Sequence, residues 1–352
     1  MSARAGEPAH QIDRLSAPLL ISWQLTRDCD LACLHCCTGS APGKRLADEL
    51  SADEALHLAD EILRSEVPYV MLCGGEPLLV PHWLRLAERL GTGGTHLKIE
   101  TNGQRLDPTH IERLAGLPVR SIQISLDADT QETYAKQRPG GSLARAHAAC
   151  RAVREAGLPL EITFAPTRLN IHEAEAVIER AAMLGAFRFN TGALMRIGTA
   201  ARLWRRLEPS PEQYEEFRAL LERLLASRSF EDLELCFDPF TTAEGLRQSL
   251  HEPPATLLVL PQGWVKVAGA LPQVCADLRR HTLAEAWNRY RLAWRDPTLT
   301  DAVQAAVQHE ALHASANDWT PGLNFGNVRK RHDLASAETP AVTSCHRPGE
   351  TR

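Results

Sequence analysis

The chain has no apolar run long enough to cross a bilayer as a helix. Its first fifteen residues mix charged and small side chains and carry no apolar core of the kind a secretory leader needs. The expected location is therefore the cytoplasm, where thiols stay reduced. There is no large charge excess either: 39 Lys and Arg stand against 44 Asp and Glu, for a net charge of −5. That balance argues against a general nucleic-acid or membrane-surface binder, and the short basic run Arg329-Lys330-Arg331-His332 reads as a solvated tail patch. Repeats of 20–50 residues are absent, which argues against a solenoid or a propeller. Cysteine is sparse in the later part of the chain. Of nine, only Cys236, Cys275 and Cys345 follow residue 200, and they lie 39 and 70 residues apart.

What the chain does have is a dense knot of cysteine near its start. Cys29, Cys33, Cys36 and Cys37 fall within nine residues, and the first three have the spacing C-x3-C-x2-C. In a reducing compartment such a cluster points to metal or redox chemistry rather than to disulfides. A zinc site normally takes four protein ligands in a tetrahedron, with His35 or Cys37 available as the fourth here. An iron–sulfur cube takes one thiolate per iron. If Cys37 points away, three thiolates leave one iron of a 4Fe–4S cube open for a small ligand.

Strand and helix patterns alternate through the first two thirds of the chain. Leu19–Leu25 reads as a buried strand running straight into the cysteine loop. Ser51-x-x-Glu54 is a capping box ahead of a helical face of Leu56, Ala59, Ile62 and Leu63. Further strands are expected at 68–72, 96–100, 119–126, 160–165 and 186–192, with helices between them. Ser210-Pro211-Glu212-Gln213 opens a helix to about Leu225. Six strand–helix units in a row predict a parallel sheet with right-handed crossovers, in an α/β fold. Six are too few for the closed eightfold barrel, so a partial (β/α)6 TIM-like barrel or an open doubly wound sheet is expected. In both, functional groups gather at the C-terminal ends of the strands, and the polar motifs of this chain lie there. Beyond residue 232 the pattern changes. Leu257–Leu260 and Trp264–Val267 flank Pro261-Gln262-Gly263 as a hairpin, and two helices follow at 282–294 and 301–313. The expected organisation is a tail (1–17), the barrel (18–228), a small α+β extension (229–320) and a loose tail (321–352).

Cys29-x3-Cys33-x2-Cys36 directly after a first strand resembles the signature of radical S-adenosylmethionine (radical SAM) enzymes. Gly74-Gly75-Glu76-Pro77 after the second strand is similar to that family's glycine-rich segment, which contacts the cofactor's methionine amino group. The resemblance covers about residues 18–200. It implies that Cys29, Cys33 and Cys36 bind three irons of one 4Fe–4S cluster and that S-adenosylmethionine chelates the fourth. Reduction would then cleave S-adenosylmethionine to methionine and a 5′-deoxyadenosyl radical that abstracts a substrate hydrogen. The protein would supply orientation and exclude water. By the same resemblance His35, Gly74, Gly75, Glu76, Pro77, Asn102, Ser125, Asp127 and Arg138 are cofactor-binding candidates. Glycines at 74 and 75 would let the backbone approach the ligand closely. A flavodoxin- or ferredoxin-type protein is the implied electron donor.

The segment Leu257–Val265, with Leu283-Ala284-Glu285-Ala286-Trp287 after it, resembles the extension called SPASM, which holds auxiliary clusters. Here most of the ligand positions are empty. The cysteine expected before the hairpin is replaced around Pro254-Ala255, and the one after it around Ala268-Gly269. A degenerate extension without metal is expected, and with it a single cluster in the protein. Cys236 and Cys275 are the candidate hydrogen-atom donors to a substrate radical. Arg196 is a candidate for a substrate carboxylate or phosphate, against a rim salt bridge.

The substrate class implied by the SPASM resemblance is a peptide, modified or built into a cofactor. The alternative is a radical dehydrogenase, epimerase or rearranging enzyme acting on a sugar, an aminocyclitol or another small precursor. A second alternative is a non-catalytic zinc- or cluster-binding scaffold. One rival motif is present. His309-Glu310-Ala311-Leu312-His313 matches the H-E-x-x-H pattern of zinc proteases on an expected helix, but it lies near the chain end, and a solvated helix face is the favoured reading.

Overall fold

Runs such as Leu20–Gln24 and Leu160–Phe164 are rich in large and β-branched side chains and are buried over most of their length, as strands covered by helices are. The computed structural model of the protein describes residues 10–227, 230 and 232–321. Its barrel region alternates as expected: β1 (Leu20–Gln24), α1 (Ala52–Arg64), β2 (Tyr69–Cys73), α2 (Trp83–Thr92), β3 (His96–Thr101), α3 (Pro108–Ala115), β4 (Val119–Ser125), α4 (Gln131–Gln137), α5 (Leu143–Glu155), β5 (Leu160–Phe164), α6 (Ala174–Met183) and β6 (Arg188–Gly192). Three helices follow, α7 (Gly198–Arg202), α8 (Trp204–Leu207) and α9 (Pro211–Ser227), then β7 (Glu234–Asp238) and α10 (Thr242–His251). The chain then forms β8 (Thr256–Val259), β9 (Trp264–Lys266), β10 (Gln273–Asp277), α11 (Leu283–Ala293), α12 (Pro297–Gln308) and β11 (Thr320–Pro321). Both expected capping boxes form. Ser51 accepts from Glu54 N while Glu54 accepts from Ser51 N, and Ser210 and Gln213 exchange the same pair.

Among the described residues, eleven strands make one sheet in the order β11-β10-β9-β8-β1-β2-β3-β4-β5-β6-β7. The six expected strands are neighbours, in order and parallel. The parallel run extends one strand further at each end. β7 joins β6, and β8 lies parallel to β1 with Leu20 opposite Thr256. Strands of the parallel barrel therefore reach residue 259, past the expected boundary at 228. The expected hairpin is β8–β9, paired antiparallel around Pro261–Gly263. It feeds the sheet edge next to β1, so the extension is continuous with the barrel.

The two faces of the parallel strands differ. Ile21, Val70, Leu72, Leu97, Ile99, Ile122, Ile124 and Ile162 are fully buried members of the main hydrophobic cluster, which they share with Ala59, Ile62, Leu86 and Ala87 of the covering helices. On β3, β4 and β5 the alternate residues Lys98, Glu100, Gln123, Ser125, Glu161 and Thr163 are polar, and several interact across the strands. Lys98 pairs with Glu161 at 2.8 Å, and Gln123 donates to Glu100 at 3.0 Å. A polar lumen inside an apolar shell follows from the period of two along each strand.

The H-E-x-x-H motif does not form its helix face. α12 stops at Gln308, His309 caps it in a non-helical conformation, and Glu310–Ser315 is a 3-10 turn. His309 is exposed and His313 is fully buried, so the two rings share no face, and the solvated face expected here is not formed either. Glu310 instead takes Arg196 at 2.9 Å, which makes Arg196 a rim salt bridge. No helix among the described residues is long and apolar enough to cross a membrane. Cys345 and the basic run at 329–332 lie outside the described residues.

Candidate active site

β1 delivers the chain to the cysteine loop, and two half-buried carboxylates fix the loop's entry. Glu49 accepts from the Thr26 hydroxyl (3.0 Å), Arg27 N (2.8 Å) and Leu46 N (3.1 Å). Asp28 Oδ1 accepts from Cys29 N at 3.1 Å and from Gly43 N at 2.8 Å. The middle of the loop is tied to the turn after α4, since Ala32 N donates to Pro139 O and Leu34 N to Gln137 O. Its exit is held by distant segments: Thr199 N donates to Cys36 O at 2.8 Å, and Asn317 Nδ2 to Cys37 O at 2.8 Å.

Cys29, Cys33 and Cys36 all line one cavity of about 970 Å³. Two of these thiols receive protein donors. Leu31 N (3.4 Å) and Asn102 Nδ2 (3.7 Å) point at Cys29 Sγ, and Arg138 Nη1 (3.5 Å) points at Cys33 Sγ. Cys36 Sγ meets the Thr38 hydroxyl at 3.2 Å. Burial pushes the Cys29 thiol up to about 12 and the Cys33 thiol likewise to about 12, the latter against the opposing pull of Arg138. Thiols in this state become thiolates when a cationic centre takes the proton's place.

Asp127 is the hub of the polar wall. It is fully buried, and its Oδ2 accepts from Arg138 Nε at 2.6 Å and lies 3.1 Å from His35 Nε2, while its Oδ1 accepts from Ala165 N at 2.8 Å. Burial opposes the charge on Arg138, but Asp127 beside it outweighs that, so the guanidinium is held above its ordinary value. Burial takes His35 down to about 4, so its ring is neutral near pH 7. Gln137 fixes the ring's other nitrogen at 2.9 Å and is itself held by Thr167.

The Gly74–Pro77 segment serves two different purposes. Gly74 and Gly75 line the cavity. Glu76 turns away from it, with 1% of its surface exposed, and accepts from Thr101 Oγ1 (2.8 Å), Asn102 N (2.9 Å) and Leu78 N (3.2 Å). Pro77 is buried at the start of a 3-10 turn. Glu76 and Pro77 are therefore buttresses between the ends of β2 and β3, not cavity wall. Burial raises Glu76 from 4.5 to about 7, against the pull of the three donors. A carboxyl raised on folding binds more protons folded than unfolded. Stability is thus lost as pH rises from about 4.5 to about 7 and levels off above that. The full step is roughly 3 kcal/mol. Urea unfolding of wild type and Glu76→Gln at pH 5 and 7.5 checks this: wild type loses stability relative to the variant at the higher pH. Parallel pH curves would refute the assignment.

His35, Gly74, Gly75, Asn102, Ser125, Asp127 and Arg138 thus lie on the same cavity as the three cysteines. Cys236 and Cys275 do not line it. Cys275 is buried on β10 with its thiol 3.5 Å from Val265 O, and Cys236 sits on β7 in register with Asn190. The thiols on the wall, besides the three, are Cys37 and Cys73.

Residues 23–181 match the family model described as the Radical SAM superfamily. Residues 23–181 are a radical SAM domain. Mycofactocin maturase MftC of Mycobacterium ulcerans is 34% identical over 221 residues, covering 61% of this chain and 59% of that protein. AdoMet-dependent heme synthase of Methanosarcina barkeri is 34% identical over 202 residues, covering 57% and 56%. PqqA peptide cyclase of Ruegeria pomeroyi is 30% identical over 209 residues, covering 58% and 55%. The match spans little more than half the length of each relative. Streptococcus suis SuiB bound to S-adenosylmethionine has the same fold, with a TM-score of 0.64 at 15% identity over 81% of this chain and 68% of SuiB. The architecture is that of a partial TIM-type barrel.

The radical SAM domain's own donor set fits a cube. Among the described residues, no three His, Cys, Asp or Glu side chains group as ligands of a single metal ion, and a cube asks instead for one thiolate per iron. Cys29, Cys33 and Cys36 would hold it, beside room for S-adenosylmethionine along Gly74, Gly75, Asn102, Ser125 and Asp127. Among the wall residues of the domain that the motifs did not point to is Glu100, at the inner face of β3. Its signal in the sequence is the pair Lys98 and Glu100, charges at a spacing of two that alternate with the buried Leu97 and Ile99.

Proposed function

We propose that the protein is a radical SAM enzyme that modifies a peptide. The observation that carries this reading is the convergence of Cys29, Cys33 and Cys36 with the Asp127–Arg138–His35 network on one large cavity at the C-terminal ends of the barrel strands. Cys29, Cys33 and Cys36 would hold a 4Fe–4S cluster, which with S-adenosylmethionine would supply reductive hydrogen-abstraction chemistry at this cavity.

The protein's own groups position and shield. Arg138 and Asn102 direct N–H donors at Cys33 and Cys29, which stabilises sulfur as thiolate. Asp127 fixes Arg138, and Gln137 fixes His35, so both face the cavity without rotamer freedom. The peptide assignment rests on kinship with a protein named a peptide cyclase and with a maturase. The heme synthase relative supports a second reading, a non-peptide small molecule. A flavodoxin- or ferredoxin-type donor and a cytoplasmic setting suit a site built on reduced thiols.

The test is anaerobic reconstitution with iron and sulfide, followed by dithionite and S-adenosylmethionine. A brown protein that forms 5′-deoxyadenosine supports the enzyme. A colourless protein with stoichiometric zinc refutes it. A short precursor-peptide gene beside this one, whose product stimulates 5′-deoxyadenosine formation, separates the peptide from the small molecule.

A further inference from the structure

Beyond the Asp127–Arg138 pair, the cavity wall carries two further carboxyl groups. Four charged side chains of the acid and base types line it: Glu100, Asp127, Arg138 and Asp238. Arg138 and Asp127 are committed to each other at 2.6 Å. That leaves Glu100 and Asp238 facing the space with no cation on the wall to answer them.

Glu100 is held as a binding group is held. Gln123 Nε2 donates to its Oε1 at 3.0 Å, and Asn190 Nδ2 donates to Gln123 Oε1 at 3.3 Å, which fixes that amide. Its Oε2 has no hydrogen-bond partner among the described residues. The cation that acts on it, Lys98, is committed to Glu161 at 2.8 Å. Burial raises Glu100 above the usual carboxylate range against the pull of Lys98 and the Gln123 hydrogen bond. The mouth is different. Met195 and Phe240 line the same cavity and are each 51% exposed, beside buried Leu194 and Ile197. Apolar groups at a mouth and a carboxylate within suit an aliphatic stem that ends in a cationic nitrogen.

We propose that the substrate presents such a group, a lysine-type ammonium or an arginine-type guanidinium, and that Glu100 is the carboxylate that receives it. This rests on the peptide reading above and adds to it the kind of side chain the cavity selects.

The probes are acetyl-Ala-Lys-Ala-amide and the same peptide with its lysine Nε acetylated. Binding is read by ligand-observed NMR on the full chain, reconstituted and loaded with S-adenosylmethionine, without reductant. The lysine peptide binds wild type, and Glu100→Gln weakens it about tenfold or more, the scale expected when a desolvated ion pair loses one partner. The acetylated peptide binds both proteins equally and weakly, which reports that the variant's cavity is intact. Equal affinity of the two peptides for wild type, no binding of the lysine peptide, or undiminished binding to Glu100→Gln overturns the proposal. Titration of wild type with S-adenosylmethionine runs alongside. If it does not bind, the enzyme reading fails, whatever the peptides do.

Discussion

Replacing Cys29, Cys33 or Cys36 by alanine removes 5′-deoxyadenosine formation to below detection and drops bound iron from about four per chain to little or none. The expectation follows from coordination. A cube held by three thiolates keeps one iron open for a ligand, whereas two thiolates leave half of its irons without protein. The three sites are not equivalent in their surroundings, and that sharpens the test. Cys29 is 7% exposed and receives two N–H donors, while Cys33 receives Arg138. Cys37→Ala is the internal comparison. Its carbonyl is bound by Asn317, and its thiol, pushed up to about 12 by burial, lies within reach of Glu100 and Lys266. Cys37→Ala therefore retains about four irons, as one cube requires. Iron and sulfide analysis with an anaerobic turnover assay reads all four variants. Cleavage that survives in each of the three single variants removes the central assignment, and about eight irons in wild type would mean a second cube.

Much of the barrel was legible because its elements obey local rules. The capping boxes at Ser51 and Ser210 start their helices where the spacing says, and Gly157 and Gly185 end theirs at positive φ. The polar motifs at strand ends converge because parallel strands all finish on the same side. What was not legible needed long-range pairing. β7 and β8 lie beyond the six units, and nothing local says that Thr256–Val259 will run parallel to β1 while its neighbour turns back. Glu76 reads as a ligand by its place in a motif, yet three buried donors on two strands claim its carboxylate. His309 and His313 match a zinc pattern, but a helix that stops at Gln308 separates their faces. Cys236 and Cys275 were the only thiols beyond residue 200 in the described chain, while Cys37 and Cys73, close to the motifs, are the ones on the cavity wall. In each case the residue type was visible and the third dimension decided its role.

Gly75→Ala destabilises the protein by about 3–5 kcal/mol and takes the activity with it. Glycine at this position looked like room for a ligand, but the chain itself uses that room. A Cβ on Gly75 would stand 1.9 Å from the Asp28 carbonyl oxygen and 2.7 Å from its carbon. Both atoms are backbone, so no side chain can swing away. Gly74 is crowded in the same direction, with φ at +150° and a Cβ position 2.8 Å from Thr26 O. The two glycines let the turn after β2 lie flat on the first residues of the cysteine loop, where Gly75 N donates to Thr26 O and Glu76 N to Asp28 O, both at 2.8 Å. A methyl group must push these strands apart and so break that pairing. The displacement reaches Cys29 within one residue, because Asp28 Oδ1 accepts from Cys29 N. It also pulls Glu76 from Thr101 and Asn102, and Asn102 is the donor to Cys29 Sγ. Thermal unfolding of the metal-free protein separates this from a simple loss of cofactor contact. A Gly75→Ala protein with the wild-type melting temperature and about four bound irons would show that the turn serves the ligand alone. A lowered melting temperature without metal shows that the glycines hold the cysteine loop in place before any ligand arrives.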